Sequence, residues 1–166
     1  MDIDVADLAR ITRTEAGYRC EFGRDFDHAP QVIWAALTEP AKLAQWLAPG
    51  TIEQRIGGRA RLDFQDSGIV IDSDVSLCEP DHLLEYGWSG PGEPDRRLTW
   101  TLTALQDGCR LSLVLRLPDG DDVARSCAGW DAHLDMLAAT LEGVSVKFPF
   151  EVFKAAREAY KARLAA

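Results

Sequence analysis

The sequence predicts an α+β fold, in which a curved antiparallel sheet of about six or seven strands wraps around a long C-terminal helix. Three observations carry this expectation. Apolar residues recur at every second position through most of residues 18 to 117; two short segments opened by Pro30 and Pro40 interrupt that pattern early; and from about Ala124 the period lengthens to that of a helix.

The segment from Val5 to Thr14 alternates only weakly, through Leu8 and Ile11, and is at most an edge strand before Gly17. From Tyr18 to Asp27, Tyr18, Cys20, Phe22 and Phe26 share one face while Arg19, Glu21, Asp25 and Asp27 share the other, as in a half-buried strand. Proline is tolerated in a first helical turn, so Pro30 opens a helix carrying Ile33, Trp34 and Leu37, and Pro40 a second carrying Leu43, Trp46 and Leu47. GTIEQRIGGRARLDF then reads as two strands about a turn or bulge at Gly57-Gly58.

Ile69, Ile71, Val75 and Leu77 share one parity of the next, longer strand. HLLEYGWS brings Leu84, Tyr86 and Trp88 to one face, and RRLTWTLTAL does the same for Leu98, Trp100, Leu102 and Ala104. Gln106-Asp107-Gly108 supplies the hairpin turn into CRLSLVLRL, whose inward face is Cys109, Leu111, Leu113, Leu115 and Leu117. In the following helix, Cys127, Trp130, Leu134, Leu137, Ala138 and Leu141 fall in one arc, with Asp131, Asp135 and Glu142 beside it and Gly143 as a C-terminal stop. The tail adds an amphipathic helix carrying Val152, Phe153, Ala156, Tyr160 and Leu164.

A chain of 166 residues suits one domain, here expected to span residues 1–143 with 144–166 as a helical extension packed on it. Its formal net charge of -9 disfavours a nucleic-acid partner, which needs clustered Lys and Arg. MDIDVADLAR lacks the basic start and apolar run of a secretory signal, and no stretch of 18 apolar residues occurs, so a cytoplasmic location without membrane partnership is expected. Cys20, Cys78, Cys109 and Cys127 form no C-x-x-C pair, and His28, His82 and His133 offer no matching ligand spacing; free thiols, no metal and no cofactor are the expectation. Asp119, Asp121 and Asp122 around Gly120 lack the ligand spacing of a calcium loop and read as a solvated turn.

PQVIWAALTEPAKLAQW, IGGRARLDF, LLEYGW, LTWTLTAL and AGWDAHLDMLAATLEG, in this order, resemble the START-like (SRPBCC) superfamily with its helix-grip fold. Within it, the chain is similar to the bacterial branch related to the activator of the heat-shock-protein-ninety ATPase, from Leu8 to Gly143. The resemblance implies a deep hydrophobic cavity between sheet and long helix, used elsewhere for lipids, sterols and polyketides. Some relatives cyclise or dehydrate polyketides with polar residues in that cavity, and eukaryotic relatives assist a chaperone. Two departures stand out: Arg125, Ser126 and Cys127 occupy a segment where relatives often carry a histidine, and Cys109 stands where threonine is expected.

The candidate ligand-binding residues are therefore Trp46, Trp88, Trp100, Trp130, Leu134 and Leu137 as walls, with Arg24, Tyr86 or His133 orienting a polar group. Arg24 interrupts the apolar parity of its strand, so it either reaches solvent through a bulge or strand end, or presents a cation to a ligand carboxylate. His133 sits off the centre of its helical arc, where a structural role competes with a catalytic one. No G-x-S-x-G, Walker, dinucleotide or H-E-x-x-H motif is present. The reading favours a non-enzymatic binder of a small apolar molecule; a cyclase-like or dehydratase-like enzyme is the first alternative. A module docking on a chaperone or on a second copy of itself is the second.

Overall fold

A computed structural model of the chain describes residues 8–166. In chain order the elements are β1 (Arg10–Arg13), β2 (Gly17–Phe26), α1 (Pro30–Thr38), α2 (Pro40–Trp46), β3 (Gly50–Ile52), β4 (Arg59–Phe64) and β5 (Ile69–Glu79). They continue with β6 (Leu83–Gly87), β7 (Arg97–Leu105), β8 (Gly108–Pro118), α3 (Val123–Leu141) and α4 (Phe150–Ala165). The strands form an eight-stranded antiparallel sheet in the order β1-β2-β8-β7-β6-β5-β4-β3. The α+β helix-grip expectation holds, with a strand count above six or seven because the short segments β1 and β3 pair at the two sheet edges. The first residues of the weak Val5–Thr14 segment lie outside the described residues.

Local chemistry sets the elements. Pro30 and Pro40 open α1 and α2 at positions where a missing N–H costs nothing. The Asp122 side chain accepts the Arg125 backbone N–H at 3.1 Å and caps α3, and Gly143, at φ +76°, ends the last turn in the left-handed region. The three aspartates of the turn are thus partly committed: Asp122 caps, Asp121 accepts from Arg96 at 2.6 Å, and Asp119 pairs with Arg13.

Register then aligns the alternating apolar positions into rows across the sheet. One row runs Phe22, Leu113, Trp100, Leu84; the next runs Cys20, Leu115, Leu98, Tyr86, Val75. All of these are buried beneath the helices. A register shift between Val75 and Leu77 breaks the parity expected of β5, leaving Leu77 exposed and turning Cys78 toward the core. Ala104, expected on the inward face, is exposed at the hairpin end of β7.

The extension changes the environment of α3. Helix α4 packs along α3 and buries Ala156 and Tyr160, while Phe153 is partly buried. Asp131, expected beside the apolar arc, is buried between them. It accepts hydrogen bonds from the Tyr160 hydroxyl at 2.5 Å and from Arg24 Nη2 at 2.8 Å. Tyr160 in turn accepts the Ala9 N–H at 2.7 Å, and Arg163 donates to the Ala9 carbonyl at 2.6 Å. The N-terminal edge, β2, α3 and α4 are therefore tied through one buried carboxylate.

Candidate functional site

The aromatic residues singled out in the sequence come together between the sheet and α3. Trp46, from the end of α2, meets Trp100 of β7 edge-on at 6.0 Å between ring centroids. Trp100 meets Trp130 of α3 at 5.6 Å, and Trp130 meets Trp88, just beyond β6, at 4.8 Å. Tyr86 lies 6.4 Å from Trp88. These separations and tilts are those of interlocking rings whose edges face neighbouring π-faces. Leu134 and Leu137 are buried on the same helix.

Burial is graded along this seam. Trp46, Trp100 and Tyr86 are fully buried, whereas Trp88 is only partly covered. At the outer end, Phe64 contacts Trp88 at 5.9 Å and His133 at 6.0 Å, and Phe148 contacts His133 at 5.4 Å. Phe148 belongs to the strap of residues 143–149 between α3 and α4, and its ring also meets Phe150 and Phe153. Phe64 and Phe148 were not among the sequence candidates. The signals were present: Phe64 continues the parity of Ala60 and Leu62, and Val144, Val146, Phe148 and Phe150 alternate. Which ring would close the outer end depended on the path of the strap.

His133 has a defined hydrogen-bonding role. Its Nδ1 lies 3.0 Å from the Trp46 carbonyl, and a carbonyl only accepts, so Nδ1 carries the proton and Nε2 the lone pair. Burial among rings pushes its pKa below the ordinary histidine value, keeping the ring neutral near pH 7. The ring thereby fastens α3 to the end of α2.

Arg24 is not at this aromatic seam. It stays in register opposite Leu111 with no bulge, donates to the Gly23 carbonyl at 2.9 Å, and pairs with Asp131. Burial pushes the Asp131 carboxyl above the usual carboxylate range, and its bonds to Tyr160 and Arg24 oppose that rise. Trp34 also stands apart, donating its N–H to Gln54 Oε1 at 2.9 Å, and His28 lies 2.9 Å from Glu142.

Two surface depressions lie elsewhere. One, of about 430 Å³, is lined by Tyr18, the turn before α3 and the end of α4. The other, of about 340 Å³, lies among Gln31, Val32, Lys42 and Leu141 at the junction of α1, α2 and α3. Neither is lined by any of the nine sequence candidates. Among the described residues, no cluster of His, Cys, Asp and Glu could hold a metal ion, all four cysteines are free, and no helix is long and apolar enough to cross a membrane.

The helix-grip architecture is that of the START-like class, whose fold typically holds small hydrophobic ligands without catalysis. Residues 27–142 match the family model described as Activator of Hsp90 ATPase homolog 1-like protein, and the chain belongs to that family. It is similar to the crystal structure of CalU16 from Micromonospora echinospora, with 22% identity, TM-score 0.75, and coverage of 95% of this chain and 96% of that one. A conserved protein of unknown function, EF2215 from Enterococcus faecalis, matches with 18% identity and TM-score 0.79 over 95% of this chain and 90% of that one. DynU16, a putative protein in the dynemicin biosynthetic locus, matches with 30% identity and TM-score 0.68 over 75% of this chain and 47% of that one. None of the curated proteins matches the chain.

Proposed function

We propose that this protein holds a small, mainly apolar molecule between its concave sheet and α3, without turning it over. The observation that carries the reading is the graded seam: a continuous path of contacting rings from the buried Trp46–Trp100 pair to the partly covered Trp88 beside Phe64 and His133. Trp46, Trp88, Trp100, Trp130, Leu134 and Leu137 are the proposed walls, with Tyr86 and His133 as polar contacts. Arg24 is left out of that role because Asp131 already neutralises it. The rings contact one another, so a ligand enters by turning Trp88 and Phe148 aside, and affinity comes from apolar area at roughly 25 cal/mol per Å² less the cost of ordering. In this reading residues 1–143 are the binding domain, residues 144–166 close its outer end, and the protein works in the cytoplasm.

Four of the five tryptophans lie in the proposed seam, so ligand entry should alter intrinsic fluorescence and raise the melting temperature. A panel of fatty acids, aromatic hydrocarbons, aromatic ketones and polyketides tests this. At least one class is expected to give both signals, and Trp130→Ala is expected to weaken it. Silence from every class in both measurements would overturn the reading.

An enzymatic alternative draws support from His133, whose neutral ring keeps a lone pair on Nε2 close to the outer end. It requires turnover of a bound polyketide-like substrate, lost in His133→Ala while binding persists. A third reading, docking on a chaperone or a second copy, is favoured by the exposed Val144, Val146 and Phe150. Mass in solution and stimulation of a chaperone ATPase separate it from the other two.

A further inference from the structure

At the floor of the seam one buried donor, the Trp100 indole N–H, lacks an acceptor among the described residues, and the Tyr86 hydroxyl lies beside it. Trp100 on β7 stands opposite Leu84 of β6, and Tyr86 of β6 stands opposite Leu98 of β7, so the two are diagonal neighbours on one face of the sheet. Each is about 1% exposed. A buried donor without an acceptor is costly, and this protein elsewhere avoids that cost: Trp46 donates its indole N–H to the Ala36 carbonyl at 2.7 Å. Trp100 does not. Its Nε1–H is buried with no hydrogen-bond partner among the described residues.

The Tyr86 hydroxyl adjoins that N–H, and the contact draws its pKa down. Burial outweighs this contact and raises the phenol pKa well above its ordinary value, so the hydroxyl remains a neutral donor. The surroundings are rings, with Trp46 and Trp130 against Trp100 and Trp88 beside Tyr86. Two donors set in an apolar wall call for an oxygen acceptor carried on an apolar frame. A carboxylate is a poor match: Arg24 is held by Asp131, and the His133 ring is neutral, so a buried anion would find no cation there.

We propose that Trp100 Nε1–H and the Tyr86 hydroxyl form a two-donor subsite that selects uncharged ligands bearing a carbonyl oxygen. This rests on the seam being the binding site, and it narrows the ligand class from apolar molecules in general to neutral ketones, quinones and related carbonyl compounds.

Benzophenone and diphenylmethane share two phenyl rings on one carbon and differ in the carbonyl, which makes them the probes. Calorimetric titration of the full chain is expected to show Tyr86→Phe weakening benzophenone about three- to tenfold, the worth of one neutral hydrogen bond, while diphenylmethane changes less than twofold. Unchanged diphenylmethane binding also certifies that the variant is folded. In ¹⁵N-resolved spectra the indole N–H resonance missing from Trp100→Phe should shift on adding benzophenone to the native chain and stay in place with diphenylmethane. If both probes bind but Tyr86→Phe leaves benzophenone affinity intact, or weakens both probes equally, or the Trp100 resonance ignores the ketone, the subsite falls and the apolar seam stands. If neither probe binds, the subsite falls, and the seam falls with it when the wider panel is silent as well.

Discussion

At the scale of single residues, His133 shows how an ambiguous histidine acquires a definite role. The helical wheel leaves it off the apolar arc, free for structure or chemistry; its contact with the Trp46 carbonyl and the surrounding rings decide its tautomer and charge. Its pKa in the folded protein is lowered from 6.5 by burial. The unfolded chain therefore binds more protons at this site than the folded one as pH falls past that value. Stability from the neutral ring is complete above about pH 6.5 and is lost as pH drops toward the lowered folded pKa. Urea denaturation at pH 7.5 and pH 5 should give a smaller loss of stability for His133→Gln than for the native chain; parallel losses would refute the assignment. Arg24 was equally undecided in sequence, and its partner lies 107 positions away. No local pattern names such a partner.

Among the elements, α3 and α4 differ in how far their sequences describe them. The period of α3 announces its apolar arc, and Gly143 its end, but Asp131 sits on a flank that a lone helix would leave in water. Docking of α4 buries it and supplies Tyr160 as a donor. Tyr160→Phe removes the donor to Asp131 Oδ2 and the acceptor for the Ala9 N–H, leaving these two buried atoms unpaired while Asp131 Oδ1 keeps its bond from Arg24. The expected cost is about 2–4 kcal/mol, at one to three for each group after partial relaxation. Hydrogen exchange should show the backbone of α4 and the segment around Ala9 losing protection before the central strands do. Uniform loss across the sheet would mean that the contact serves global stability instead of tail docking. In β5 the same limit appears on a smaller scale: alternation locates the strand, while the bulge at Val75–Leu77 decides that Leu77 faces water.

For the whole molecule, stability centres where the rows of β2, β8, β7 and β6 meet α3. Leu113 lies between Phe22 and Trp100 in register and is 1% exposed. Leu113→Ala should cost about 2–5 kcal/mol, seen as a lower urea midpoint with an unchanged slope. A cost below 1 kcal/mol would indicate a loosely filled interior. Pairing of β2 with β8 joins segments far apart in the chain, whereas the run from β3 to β8 is built from neighbouring strands. The helices and the curved, open sheet thereby hold the aromatic seam between them.

Periodicity alone determined the strands, the two proline-opened helices, the long helix and the inward set that contains Trp100, Tyr86 and Trp130, because side-chain direction in a strand or helix follows from local geometry. The contacts of those inward residues are a different matter. That Trp100 finds no acceptor among the described residues, that Arg24 turns to Asp131, that Phe148 covers His133 and that Asp131 is buried depend on groups distant in sequence. Hydrogen-bond satisfaction and solvent exclusion are properties of the assembled layers, and only the tertiary structure decided them.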